Sequence, residues 1–120
     1  MTTNTAIYIK DGHKQDGTVV DFAAAIMDRI KRIETRTHNR LRRGLVGIVH
    51  DGQVIGEIII GNPVEIRRDS TEYDMTMIAG TEYDIPQGGM KYGYPVTVVN
   101  DWRDNPRPVL RHGNYAVYEK

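Results

Sequence analysis

The sequence predicts a single domain of the α+β class, a small mixed β-barrel of five to six strands with one or two short helices. Short segments rich in β-branched and aromatic residues recur along the chain and are joined by tight turns. Only one segment has clear helical periodicity. Strands and helices do not alternate regularly, as they would in a parallel α/β sheet. Together these observations favour a curled sheet with a helix packed against it.

The first third of the chain predicts one strand and the clearest helix. Residues 6–9 have the composition of a strand, and residues 11–17 contain the Asp-Gly signals of a loop. Asp21 is a candidate N-cap for a helix over residues 22–30, where three alanines and apolar residues at helical spacing lie. After this helix, Ile33–Thr37 is predicted to be extended.

A β-hairpin is the strongest local prediction. Leu45–His50 and Gln53–Ile60 have strand composition, and Asp51-Gly52 between them is a typical two-residue hairpin turn. The apolar run at the end of the second strand predicts a central position in the sheet. Gly61-Asn62-Pro63 ends that strand, and Val64–Ile66 is a candidate continuation.

The second half of the chain is less regular. Ser70 or Thr71 is a candidate cap for a short helix over residues 72–78. Beyond it, the pattern predicts a loop, a strand, a turn-rich connection and a final strand at residues 86–89, 92–99, 102–108 and 114–119, respectively.

Length and composition limit the class of protein. A chain of 120 residues suits one domain over residues 1–120, and 39% hydrophobic with 27% charged residues is typical of a folded, soluble protein. The sequence contains no cysteine, which excludes disulfides, thiolate metal sites and a cysteine nucleophile. It has no signal-peptide pattern and no apolar run near the roughly 20 residues that span a membrane. We therefore predict a cytoplasmic protein with no membrane partner.

No cofactor or metal ion is predicted. The four histidines, His13, His38, His50 and His112, do not show ligand spacing such as His-x-x-x-His. The chain also lacks a Gly-rich phosphate loop and a nucleophile elbow.

The charges are unevenly distributed although the formal net charge is zero. Residues 29–43, the basic segment, hold seven of the 16 lysines and arginines. Residues 69–90 contain five acids and no lysine or arginine. The basic segment can present a positive face to phosphate, or the two stretches can neutralise each other in the fold.

Lys31, Glu34 and Arg36 are the candidate site within the basic segment. On an extended strand Glu34 and Arg36 lie on the same face, because successive side chains alternate. Such a cluster can bind a nucleotide, transfer a proton, or be a solvated basic segment. Lys31 is either a base with a lowered pKa or a surface lysine at a helix end. For Glu34 and Arg36 we favour an ion pair that also lines a cleft.

Two further groups are candidates for ligand binding. Arg40, Arg42 and Arg43 suit contacts to phosphate, and a solvated loop is the alternative. The aromatic rings that could stack on a base, or instead pack in the core or rim of a barrel, are Tyr92, Tyr94 and Trp102.

The order of motifs resembles that of the ASCH family of the PUA-like superfamily. A Lys-x-x-Glu-x-Arg pattern at residues 31–36 follows the first helix, and Arg43-Gly44 precedes a strand. Further elements of the resemblance are Val54–Ile58, Tyr92-Gly93-Tyr94 and Pro106–Gly113. The resemblance covers about Ala6 to Glu119. The family usually has glycine two residues before the lysine, where this chain has Arg29, and the loop over residues 11–19 is longer than expected.

The resemblance implies a PUA-like β-barrel with a cleft beside the motif and an RNA or nucleotide ligand. Some small members hydrolyse N(4)-acetylcytidine with a lysine, a threonine three residues later and a separate glutamate. Lys31 matches the lysine, but Glu34 occupies the threonine position. Glu72 and Asp74 are the nearest candidates for the separate acid.

The sequence therefore predicts a domain that binds RNA or a modified nucleotide in a cleft lined by Lys31, Glu34 and Arg36. One alternative is an amidohydrolase, or a ribonuclease-like enzyme, in which Lys31 and Glu34 are catalytic. The other is a protein-interaction domain without a nucleotide ligand.

Overall fold

One curled, mostly antiparallel sheet dominates the computed structural model, which describes residues 3–14, 16–76, 85 and 87–120. Within that part of the chain the elements are, in order, β1 (Asn4–Tyr8), β2 (Gly12–His13), β3 (Val19–Val20), α1 (Phe22–Met27), β4 (Ile33–Arg36), β5 (Gly44–His50), β6 (Gln53–Ile60), β7 (Val64–Ile66), α2 (Tyr73–Thr76), β8 (Lys91–Asp101), β9 (Arg107–Pro108) and β10 (Ala116–Tyr118).

The sheet is mixed, as predicted. Its order is β10-β1-β5-β6-β8-β4, with β7 pairing with β8 and β9 with β6. β1 and β5 are parallel, and the other pairs are antiparallel. β2 and β3 form a separate small hairpin. This is a small, mostly-β domain with two short helices, consistent with a barrel-like α+β fold.

The predicted β5–β6 hairpin is confirmed. Asp51 and Gly52 have φ angles of 51° and 77°, the positive values that a type I′ turn requires at both central positions. β6 lies between β5 and β8, so its predicted central position is also confirmed. Ile58 and Ile60 are buried, whereas Ile59 is exposed. Only one face of this end of β6 therefore packs against the core.

The first helix is shorter than predicted. Its N-cap is confirmed, because Asp21 Oδ1 accepts a hydrogen bond from Ala24 N at 2.8 Å. The helix ends at Met27 rather than Ile30, and Arg29 adopts a left-handed φ of 61°. The backbone N–H groups of Ile30 and Lys31 both donate to Ala25 O. The chain turns here, leaving Ile30 exposed and directing Lys31 inward.

The second half of the chain follows the predicted order with changed bounds. The described part of the second helix covers residues 73–76, so the predicted end at residue 78 lies outside the described residues. The long strand extends to residues 91–101. A two-residue strand, β9, lies within the predicted turn-rich connection, and the final strand is shorter than predicted.

Three apolar clusters position the elements. The largest packs α1 against the inner face of β1, β5, β6 and β8, through residues such as Ile26, Met27, Ile48 and Ile58. A second cluster surrounds Tyr118. A third is formed by Ile33 of β4, Ile66 of β7 and Ile85. No helix within the described ranges is long and apolar enough to cross a membrane.

Candidate functional site

Glu34 and Arg36 lie on the same face of β4, as the alternation of side chains predicts. Arg36 Nη2 is 3.4 Å from Glu34 Oε2 and donates a hydrogen bond to Tyr8 O at 3.0 Å. Glu34 is buried, whereas 27% of the Arg36 side chain is exposed. The predicted ion pair is thus present. The hydrogen bond from Arg36 to Tyr8 O joins β4 to the end of β1.

Two hollows meet at Arg36. The arginine hollow has a volume of about 480 Å³ and is lined by Ile7, Tyr8, Arg36, His38, Arg40, Leu41, Asn114 and Tyr115. The carboxylate hollow has a volume of about 370 Å³ and is lined by Tyr8, Lys10, Asp11, Phe22, Glu34, Thr35, Arg36 and Lys91. Arg36 and Tyr8 line both hollows. A ligand in either hollow would therefore lie next to Arg36.

Of the three loop arginines, Arg40 lines the arginine hollow. Arg42 and Arg43 are also exposed. The Arg42 backbone N–H donates to Tyr115 Oη at 3.2 Å. Arg43 donates to Asn39 O at 3.2 Å, and its guanidinium lies 6.0 Å from the Tyr94 ring centroid. The fold therefore brings Arg36 and Arg40 to one hollow and leaves Arg42 and Arg43 beside it.

Tyr94 fixes the loop that carries these arginines. Its hydroxyl donates to His38 O at 2.8 Å and accepts from Leu41 N at 3.2 Å. The residue is fully buried, so its ring has no face open to a base. For Tyr94, burial therefore favours the alternative of core packing over that of stacking on a base. The sequence pattern could not show it, because an aromatic on a strand has the same spacing whether it faces a cleft or the core.

We expect Tyr94→Phe to lower the free energy of unfolding by about 1–2 kcal/mol, because the change removes both hydrogen bonds of the hydroxyl. Amide hydrogen exchange at Leu41 should become faster in the variant. Urea denaturation and exchange measurements test this. Tyr92→Phe, on the same strand, is the control and should change stability by less than about 0.5 kcal/mol. Equal effects of the two substitutions would contradict the role of Tyr94 in holding the loop.

Lys31 is fully buried, so the alternative of a surface lysine is wrong. Its Nζ donates to Thr76 O in α2 and lies 4.7 Å from the centroid of the Phe22 ring. Arg32 N also donates to Met75 O, at 2.9 Å. The start of the basic segment therefore contacts the backbone carbonyls of α2, which lies within the acidic stretch of residues 69–90. Lys31 does not line either hollow.

The other candidate residues line neither hollow. They are Tyr92, Trp102, Glu72 and Asp74. Tyr92 pairs with Arg36 across β4 and β8, and it is half-buried against the main core. The Trp102 ring lies beneath the Arg107 guanidinium at 4.1 Å and lines neither hollow. Glu72 and Asp74 also line neither hollow.

Sequence reasoning missed Tyr8 and His112. The Tyr8 hydroxyl is 2.9 Å from His112 Nδ1, and the two rings are stacked with centroids 5.9 Å apart. Both residues line a third hollow of about 480 Å³, the histidine hollow, whose other lining residues are Ile9, Lys10, Asp11, Val49, His50, Asp51 and Gly52. The pairing of β1 with both β5 and β10 creates this arrangement, and no local motif indicates it.

His50 stands among carboxylates in the histidine hollow. Its Nε2 is 3.1 Å from Asp11 Oδ1 and 3.4 Å from Asp21 Oδ1, and its Nδ1 is 3.5 Å from Asp51 Oδ2. Burial lowers the pKa of His50, but the hydrogen bond that its imidazole donates to Asp11 and the charges of Asp21 and Asp51 outweigh burial and raise the pKa above its usual value.

Comparison of the chain with protein families, with curated proteins and with solved structures found no match in any of the three.

Proposed function

We propose that this domain binds RNA or a nucleotide, with phosphate in the arginine hollow and a base in the adjoining carboxylate hollow. The observation that carries the proposal is the position of Arg36. It lines both hollows and is held by a backbone carbonyl and by Glu34. A ligand with a phosphate next to an aromatic base suits two hollows that share an arginine.

Arg36 retains hydrogen-bond donors for a phosphate. A guanidinium has five N–H donors in a fork that matches phosphate oxygens. The contacts of Arg36 to Tyr8 and Glu34 both use Nη2. Nη1 and Nε can therefore donate to an oxyanion, and exposed Arg40 adds a second positive charge on the same hollow.

The carboxylate hollow favours a base with an exocyclic amino group. Glu34 and Asp11 both line it, and carboxylates accept hydrogen bonds from amino groups such as that of cytosine. The ring of Phe22 lines the same hollow and offers an apolar surface. We therefore expect cytidine or adenosine nucleotides to bind more tightly than uridine nucleotides.

Hydrolysis of an acylated nucleoside is a second candidate function. Its supporting observation is that the Lys31 ammonium lies over the Phe22 ring, and the same ring lines the hollow that holds the Glu34 carboxylate. Release of acetate from N(4)-acetylcytidine, lost in Glu34→Gln, would support this activity. No release by the unaltered protein would exclude it for this substrate.

Binding is tested with a short fluorescent single-stranded RNA and with the four nucleoside monophosphates, at roughly 50 and 200 mM salt. We expect Arg40→Ala to weaken RNA binding about tenfold, because it removes one charged phosphate contact. Arg67→Ala is the matched control, since Arg67 is exposed and lines neither hollow. The proposal fails if no probe binds, or if the two substitutions weaken binding equally.

A further inference from the structure

Three separate parts of the chain converge on His50. Asp11 follows β1, Asp21 is the N-cap of α1, and His50 is the last residue of β5. Within the described ranges, one potential ligand atom from each of the three residues lies within 4.8 Å of the other two. Asp11 also lines the carboxylate hollow, whereas Asp21 and His50 line neither of the two hollows proposed for the nucleotide.

We propose that Asp11, Asp21 and His50 bind one divalent transition-metal ion, with Zn²⁺ and Mn²⁺ as the best-fitting candidates. Nitrogen and carboxylate ligands bind such ions at about 2.1 Å, so neighbouring ligand atoms in a tetrahedral or octahedral shell lie about 3.0–3.4 Å apart. His50 Nε2 is 3.1 Å from Asp11 Oδ1 and 3.4 Å from Asp21 Oδ1. Both nitrogen–oxygen distances match the spacing of ligands around one ion, and the Asp11 and Asp21 oxygens lie within 4.8 Å of each other.

The ligands are held in place before an ion arrives. Asp21 is fixed by the hydrogen bond that its Oδ1 accepts from Ala24 N. The same oxygen lies 3.4 Å from His50 Nε2. A carboxylate oxygen has two lone pairs, so Asp21 Oδ1 can accept the capping hydrogen bond and also bind an ion. His50 lies in the central sheet, and its side chain is only 17% exposed. Such preorganisation reduces the entropy lost on binding.

The charges around His50 favour a cation. Three carboxylates, those of Asp11, Asp21 and Asp51, face one imidazole, and Lys10 is a cation that lines the same hollow. This local excess of negative charge attracts a divalent cation.

The position of the cluster leaves room for further ligands. Asp11, Asp51 and His50 line the histidine hollow, which has a volume of about 480 Å³. Coordination positions that the protein does not fill can therefore hold water or a small ligand. The assay below uses no nucleotide, so it tests metal binding separately from the proposed nucleotide function. Because Asp11 also lines the carboxylate hollow, Asp21→Asn is the variant specific to the metal site.

The test uses the full chain after treatment with a chelator, titrated with Zn²⁺ or Mn²⁺ in a calorimeter. We expect one ion per chain, and affinity at least about tenfold weaker in Asp11→Asn and Asp21→Asn. Asparagine is also a good N-cap, so Asp21→Asn keeps the start of the helix. Exposed Asp104→Asn is the matched control and should bind like the unaltered protein.

A site-specific readout accompanies the titration. Zn²⁺ should shift the imidazole nitrogen resonances of His50, and this shift should be absent in Asp21→Asn at the same Zn²⁺ concentration. Absence of Zn²⁺ and Mn²⁺ binding at millimolar concentration would overturn the proposal. Equal affinities of Asp21→Asn and Asp104→Asn would overturn it as well.

Discussion

Replacing Glu57 with alanine is expected to lower the free energy of unfolding by about 3–5 kcal/mol. Glu57 is fully buried on β6. Its Oε1 accepts from Asn100 Nδ2 at 2.7 Å, and its Oε2 accepts from the Tyr118 hydroxyl and lies 3.2 Å from Lys120 Nζ. Alanine would leave the Tyr118 hydroxyl and the Asn100 amide without this acceptor, and it would leave a cavity beside them.

The Glu57 carboxylate also affects the pKa of the Tyr118 phenol. Burial, together with the hydrogen bond to Glu57 and its charge, raises the pKa of Tyr118 well above its ordinary value. The phenol is protonated at neutral pH, as an ordinary tyrosine is, and donates its hydrogen bond to Glu57. This contact joins β10 to β6, which are separated by β1 and β5 in the sheet.

Urea denaturation monitored by Trp102 fluorescence measures the effect. Glu57→Gln keeps an acceptor oxygen and should cost about 1–2 kcal/mol. Glu65→Ala removes an exposed glutamate from β7 and should change stability by less than about 0.5 kcal/mol. A variant Glu57→Ala as stable as Glu65→Ala would show that the buried carboxylate does not contribute to folding.

The sequence predicted best those features that depend on neighbouring residues. The β5–β6 hairpin follows from the conformational preferences of Asp51 and Gly52, and the helix start follows from the Asp21 cap. The predicted position of the helix end was wrong, because residues 28–30 are compatible with a further helical turn. Tertiary structure prevents this turn, since the chain must reverse at Arg29 to direct Lys31 toward α2.

The candidate site could be predicted only in part, because many of its contacts join residues that are far apart in the sequence. Side-chain alternation placed Glu34 and Arg36 together, because that relation is local to β4. Tyr8 and His112 are 104 residues apart and meet only through strand pairing. The cluster around His50 likewise combines residues from different elements, so a search for regular histidine spacing could not find it.

Gly56 is a position on β6 where a side chain has no room. A Cβ atom built there would overlap the backbone carbonyl oxygen of Asn100 and the methyl group of Met27. Met27 can move its methyl group, but the Asn100 carbonyl belongs to β8, where the register between β6 and β8 shifts next to Glu57. Relief of this overlap therefore requires the central strands to separate locally.

We expect Gly56→Ala to destabilise the protein by about 3 kcal/mol, because overpacking against backbone cannot be relieved by a change of rotamer. Gly61→Ala is the matched control, since a Cβ there would meet the Cβ and backbone oxygen of Pro95 at 3.6 Å, an ordinary contact distance. It should change the free energy of unfolding by less than about 0.5 kcal/mol in the same urea experiment. If both alanine variants unfold at the same urea concentration, the close approach of β6 and β8 does not prevent Gly56 from being replaced by a residue with a side chain.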